Sequence, residues 1–400
     1  MRVLPWSKVT KVIAVLVWLI LILSGCGAVS PPQTGALSSR DNNLQPPAGP
    51  PATTHAIVRE FFYISVGASK VEAFQFSPGS GELSKVDDGL GQLFQPWDTA
   101  VAPDSNTLYI RDGLASIRSF SVDPNDGNLH RVATSRLLVA LGNILPNGKF
   151  AYGSTNPPSL MGYRIDAGSF SPIPGAQLAT WQHPVSLVTL PSGKFLYSAG
   201  DTSAGVLGTN LYRIDSSSGE LQPQNLGTAL EPNDAIISIS PDGDLAAAIS
   251  PNSARIDVVS LYSIDSKTGA VIARESTAGI PAFGGQCFFD PTGHFLYVTG
   301  FFGVLAGFHI ENDLSLAPLD LSGFVLPPRT KNIAGIVFDP SGKFVLAVSN
   351  QTAADGATTA GSLSIFEFDQ STGELAQASG SPYGLDDFVQ SMSVVPIRQK

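Results

Sequence analysis

The sequence predicts an all-β chain: a closed ring of seven four-stranded blades, with the last strand joining the first blade. Three observations predict it. A strand–turn–strand unit recurs, clearest as Phe338-Asp339-Pro340-Ser341-Gly342-Lys343-Phe344 and again as Phe289-Asp290-Pro291-Thr292-Gly293-His294-Phe295 and Leu190-Pro191-Ser192-Gly193-Lys194-Phe195. A second turn alternates with it, Asp-x-x-x-Gly, at Asp123–Gly127, Asp215–Gly219, Asp265–Gly269 and Asp369–Gly373. Its Asp accepts backbone N–H bonds and its Gly supplies positive φ. No stretch after the N-terminal apolar run sustains a helical period.

The N-terminus comes first. Arg2, Lys8 and Lys11 precede an unbroken apolar run, Val12 to Leu23, that is short for a membrane span. It ends in Leu23-Ser24-Gly25-Cys26, which resembles the lipobox of bacterial lipoproteins. That resemblance implies a signal peptide over 1–25, lipidation of Cys26 and an extracytoplasmic protein anchored to a bacterial membrane. With Gly27 rather than Asp after the Cys, the outer membrane is favoured in a Gram-negative cell. Residues 26–56 hold the lipidated Cys and a tether rich in Pro, Gly and Ser, with too little apolar surface to fold. The propeller domain is expected over 57–400.

Composition narrows the partners. Residues 1–25 hold three basic and no acidic groups, so the remainder carries 33 acidic against 20 basic residues. A domain this acidic has no electrostatic footprint for nucleic acid. The second of the two cysteines, Cys287, sits in Gln286-Cys287-Phe288-Phe289 and reads as a buried core thiol. The five His are scattered without metal-ligand spacing, so no metal and no cofactor is expected. Asp123 to Asn128 has the look of a calcium loop, but its place in the repeat makes it a hairpin turn.

The repeats set the blade count. Their anchoring prolines fall at 103, 146, 191, 241, 291, 340 and 396, close to the length of a four-stranded propeller blade. The first period begins at its second strand, Phe61 to Val66. The last stops after one strand, Gln390 to Val395. One strand from the C-terminus and three from the N-terminus complete a seventh blade and remove two open edges. The poorly patterned period around Pro146 leaves six blades as the alternative. A monomer is expected.

Blade topology then places function. Both repeated turns lie on one face of an antiparallel blade. The long, irregular loops share the other, where binding on a rigid scaffold usually sits. Trp97, Asp98, Arg111, Asp112, Trp181, His183, Asp234, Phe283, Gln286, Arg329, Lys331, Asp386 and Asp387 fall around that mouth.

The Phe-Asp-Pro-Ser-Gly-Lys-Phe repeats, together with Ser362-Leu363-Ser364-Ile365-Phe366-Glu367-Phe368-Asp369-Gln370-Ser371-Thr372-Gly373-Glu374-Leu375, resemble the seven-bladed propeller lactonase family. That family includes propeller-type 6-phosphogluconolactonases and muconate lactonising enzymes. The resemblance covers residues 57–396 and implies the fold, with His and Arg at the starts of inner strands as catalytic groups. One family motif reads Gly-Pro-Arg-His before an apolar run. The matching stretch, Phe283-Gly284-Gly285-Gln286-Cys287, has Gly285 in place of Arg and Gln286 in place of His. His183-Pro184-Val185 keeps one His of a second motif.

Two functions follow as expectations. The first is a binding or scaffold domain for an extracytoplasmic protein or carbohydrate ligand, with Trp97, Asp98, Arg111, Trp181, Phe283 and Lys331 as binding residues. The alternative is a sugar-acid lactone hydrolase of the 6-phosphogluconolactonase kind. There His183 is the general base, Gln286 a carbonyl donor and Arg329 or Arg111 the cation. The missing Arg-His pair and the acidic balance put binding first.

Overall fold

A computed structural model describes residues 57–86, 90, 93–102, 104–113, 116–136, 140–141, 145–156, 159–174, 178, 183–201, 207–250, 257–280, 284–300, 303–352 and 358–398. The expected signal segment, Cys26 and tether lie outside them. All regular structure among the described residues is β.

Seven antiparallel sheets form the ring. Blade 1 runs, from its outer edge inward, Glu82–Val86, Lys70–Ser77, Ile57–Val66 and Val389–Arg398. The C-terminal strand is thus the innermost strand of the first blade, in continuous register from Glu60 opposite Pro396 to Ser65 opposite Ser391. The ring closes as the sequence predicts. Blades 2 to 7 follow in chain order, spanning 96–136, 140–172, 183–224, 235–280, 284–318 and 330–385. Two blades are irregular. The innermost strand of blade 3 is broken into Ala140–Leu141 and Leu145–Asn147, the region around Pro146 where the repeat is weakest. Blade 7 carries an extra short strand, Tyr383–Leu385, beside Thr358–Phe368.

The burial gradient across a blade explains the sequence pattern. Second strands lie between two strands and two neighbouring blades, so they are apolar on both faces. Phe295–Gly300 is buried throughout, and Phe195–Asp201 nearly so. Outermost strands such as Val271–Ile280 alternate toward solvent. The core is accordingly not central. It is divided into seven clusters, each shared by two adjacent blades, and one of them joins blade 7 to blade 1.

A side-chain clamp repeats at four of these interfaces. A Phe-x-Tyr on a second strand reaches the Asp-x-x-x-Gly turn of the next blade. The Tyr hydroxyl donates to the Gly carbonyl in Tyr63–Gly127 (2.6 Å), Tyr152–Gly219 (2.8 Å), Tyr197–Gly269 (2.5 Å) and Tyr297–Gly373 (2.6 Å). The Phe ring packs against the same glycine: a Cβ at Gly127, Gly219 or Gly373 would stand 2.4–2.5 Å from Phe61, Phe150 or Phe295. These glycines are needed twice over, for positive φ (+77°, +78° and +75°) and for close approach.

Candidate functional site at the loop-bearing face

Innermost strands start at the loop-bearing face, and that is where they are irregular. In six blades the pairing of the innermost strand shifts register near this end, at Ser65/Val66, Pro96/Asp98, Pro184/Ser186, Ile236/Ser238, Gly284/Cys287 and Thr330/Asn332. A bulge inserts a residue that stands outside the backbone ladder and re-aims its side chain. The bulged positions include Trp97, Gln286 and Lys331, three of the sequence candidates.

Blade 2 holds the densest chemistry. Asp98 lies opposite Arg111 in the ladder, so both side chains share one sheet face. Both residues are buried, each 6% exposed. The Arg111 guanidinium sits 5.8 Å from the Trp97 ring centroid, a cation–π arrangement. Burial lowers the Arg111 pKa from its usual value, and the Asp98 carboxylate pulls it back up. Arg111 Nε and the Trp97 indole Nε1 are buried without a hydrogen-bond partner. Buried N–H donors are ordinarily satisfied, so two orphans on one cation–aromatic pair are exceptions to the usual pairing. On the opposite sheet face Asp112 accepts from Phe94 N at 2.5 Å and pairs with Arg118.

The other candidates are dispersed. Gln286 is partly buried in its bulge, where its backbone N–H donates to Thr299 Oγ1 at 2.8 Å. Arg329 is exposed and takes a left-handed φ of 64°; its carbonyl accepts from Thr352 N and Oγ1. Lys331 is partly buried at the start of the innermost strand of blade 7. His183 opens the innermost strand of blade 4 opposite Asp201; its side chain, and all of Trp181 and Phe283, lie outside the described residues. His183, Gln286 and Arg329 therefore come from blades 4, 6 and 7, whereas Trp97, Asp98 and Arg111 share blade 2.

Three carboxylates expected at the mouth have structural partners. Asp234 is buried and accepts from Tyr262 OH at 2.6 Å. Asp386 turns outward into an ion cluster with Lys70 and Lys85, beside the fully buried Glu72. Asp387 accepts from the Phe388 N–H at 2.8 Å. Cys287 is buried, and burial pushes its thiol pKa far up, away from nucleophilic use. Among the described residues no group of three His, Cys, Asp or Glu side chains is placed to hold a metal ion.

Sequence reasoning missed Phe94, an aromatic 70% exposed at the same end of blade 2. Its signal was faint: a large apolar residue in a Gly/Gln-rich loop just before Pro96 and Trp97.

Solved structures share this architecture. A candidate 6-phosphogluconolactonase from Bacteroides fragilis aligns over 84% of this chain and 98% of its own, with TM-score 0.65 and 18% identity. One from Bacteroides uniformis gives TM-score 0.67 over 84% and 100%, again at 18% identity. The chain has the lactonase-like propeller fold. The periplasmic gluconolactonase of Pseudomonas aeruginosa has it too, with TM-score 0.59, 17% identity and coverage of 85% and 99%. No family model matches the sequence, and no curated protein matches it. At such identities the likeness of this propeller to these proteins is one of fold, and its chemistry must be argued from its own residues.

Proposed function

We propose that this protein is a cell-envelope propeller that binds a small oxygen-rich ligand, a sugar acid or its lactone, at the loop-bearing mouth above blade 2. One observation carries this reading: a buried guanidinium stacked on an indole, with Arg111 Nε and Trp97 Nε1 both unpaired. Such donors favour a carboxylate or carbonyl oxygen, and their desolvation strengthens the bond they would make. Titration calorimetry with a panel of sugar acids and lactones tests it. Arg111→Lys keeps the charge but loses the planar fork, and should weaken the acids by about tenfold. Equal affinity in wild type and Arg111→Lys would refute the site.

The same donors support a second reading, hydrolysis of the lactone. Water attacks the ring carbonyl carbon, the carbonyl oxygen takes up negative charge beside Arg111 and Trp97, and the ring C–O bond then breaks to give the hydroxy acid. Asp98, or His183 from blade 4, would take the water proton and return it to the leaving ring oxygen as the C–O bond breaks. The names of the structural neighbours favour this reading. Turnover of any lactone in the panel well above background, lost in Arg111→Lys, would put hydrolysis ahead of binding.

Location rests on the N-terminus. The charged start, the apolar run and Leu23-Ser24-Gly25-Cys26 support a lipid anchor at Cys26, and a periplasmic fold neighbour agrees with an extracytoplasmic domain. Membrane fractionation of a Cys26→Ser variant should find it released or held as uncleaved precursor without lipid label. A labelled Cys26→Ser protein would overturn the assignment.

A further inference from the structure

We propose that His294 and His309, on the turn-bearing face opposite the mouth, form a two-imidazole site for a divalent transition-metal ion such as Ni2+ or Cu2+. The site is independent of the mouth. His are scattered along the chain, but the fold brings these two together: both line one cavity of about 320 Å³ between blades 6 and 7, with Glu311 and Gln370 also at its wall. The His309 ring packs 5.2 Å, centroid to centroid, from Phe295, the residue next to His294.

Blade 6 departs from the repeat at three neighbouring positions. His294 stands where the matching turns have Lys149, Lys194 and Lys343. His309 lies opposite Phe295, in the place of Arg164 opposite Phe150, Arg213 opposite Phe195 and Glu367 opposite Phe344. Glu311 stands where Asp215, Asp265 and Asp369 open the second turn in other blades. Those aspartates spend their carboxylates on the turn, accepting from Ser217 N, Lys267 N and Ser371 N at 2.9, 2.9 and 2.7 Å. In blade 6 Asp313 accepts from Ser315 N at 3.0 Å, and the Glu311 carboxylate meets His309 instead.

Hydrogen bonds set both rings in the same tautomer. Glu311 Oε1 lies 3.0 Å from His309 Nδ1; a carboxylate only accepts, so Nδ1 carries the proton. Thr292 Oγ1 gives its single proton to Asp290 Oδ2, so it faces His294 Nδ1, 3.0 Å away, as an acceptor. Each ring therefore keeps its Nε2 lone pair for another partner. Metal-binding imidazoles are oriented in this way, the far nitrogen donating to an oxygen. His294 is exposed and the His309 side chain is 39% exposed, so an ion reaches both from solvent. Gln370 donates its Nε2 to Gly342 O at 2.7 Å, which leaves its Oε1 as a further acceptor. Among the described residues no third His, Cys, Asp or Glu is placed to complete a ligand set, so water fills the remaining positions. Neutral imidazole suits Ni2+, Cu2+ and Zn2+, whereas Mg2+ and Ca2+ take oxygen ligands.

Calorimetry with Ni2+ on the full chain in detergent tests the site, with thermal unfolding to confirm that each variant folds. His294→Lys and His309→Arg install residues that other blades carry at these positions, so the fold should tolerate both. The wild type should bind Ni2+, and each of these substitutions should weaken it about tenfold or more. Glu311→Ala should weaken it about tenfold, and His130→Ala, an exposed His on blade 2, should leave it unchanged. If wild type binds no Ni2+, or if either His294→Lys or His309→Arg binds as tightly as wild type, there is no two-imidazole site. Loss in His130→Ala would put the ion elsewhere and overturn the site as well. Unchanged affinity in Glu311→Ala would overturn the orienting part given to its carboxylate.

Discussion

Glu60→Gln should raise the stability of the folded propeller at neutral pH, by an amount that grows with pH. Glu60 sits on Ile57–Val66 in the interface between blades 1 and 7 and is fully buried. Neither carboxylate oxygen has a partner in good hydrogen-bond geometry, although the Ser341 N–H and the Asp339 carboxylate lie close by. Asp339, the turn residue of blade 7, is also fully buried and is the charged group that faces it. Burial first, and Asp339 second, push the Glu60 pKa up from 4.5 to about 10. Burial raises the Asp339 pKa as well, but its carboxylate accepts from Ser341 N and Oγ, Lys343 N and Phe344 N, which pull it back down, so the proton belongs on Glu60, which lacks such a set of donors. The folded state therefore keeps a proton that the unfolded chain releases above pH 4.5. This contribution is fully present below that pH and is lost as pH rises toward 10, at about 1.4 kcal/mol per pH unit. At pH 7 the loss is about 3 kcal/mol, and a neutral glutamine of the same shape avoids it. Denaturant unfolding of both proteins from pH 5 to 9 measures this. A wild-type–variant difference that does not change with pH would show that Glu60 is not held protonated.

Gly373→Ala should cost about 3 kcal/mol, through two separable terms. The residue sits at φ +75°, and a Cβ there would lie 2.5 Å from Phe295 Cδ1 and 2.9 Å from Leu319 Cδ1. Positive φ costs an alanine about 1 kcal/mol, and forcing apart a packed ring costs about 1–3 kcal/mol more. Gly148 isolates the first term, since its φ is +60° and nothing lies within 4 Å of its added Cβ. Gly148→Ala should lose about 1 kcal/mol, and Gly79→Ala, open and without positive φ, within about 0.5 kcal/mol. Equal losses at Gly373 and Gly148 would mean that the Phe295 contact contributes nothing. Tyr297→Phe, which removes the hydroxyl bonded to Gly373 O at 2.6 Å, should cost about 1 kcal/mol by itself.

The clamp shows how far local sequence reaches. Phe-x-Tyr after the Pro-x-Gly turn is plain in the chain, and so is the Asp-x-x-x-Gly turn. That they touch is not, because the partners are 64 to 76 residues apart and meet only across a blade interface. The mouth is less legible still. The sequence places Trp97, Asp98 and Arg111 one by one around the loop-bearing mouth, yet only ladder register puts Asp98 against Arg111, and only a bulge puts Trp97 beside it. Asp234 has the same look in the sequence and is engaged by Tyr262, far along the chain. Glu60 reads as an ordinary strand charge. Its burial depends on which face of its strand meets blade 7.

The sequence by itself determined the strand periods, the two turn types, the blade count and the closure between Gln390–Val395 and Phe61–Val66. Those depend on short-range rules: alternation of apolar residues, proline at fixed φ, glycine at positive φ, and a repeat length and split first blade that favour seven blades over six. Tertiary structure alone decided which polar groups are left unpaired. A hydrogen bond is completed or denied by neighbours from another blade, and no local pattern carries that information. Arg111, Trp97, Glu60 and the exposed ring of Phe94 acquire their chemistry from the company that ring closure and bulges give them.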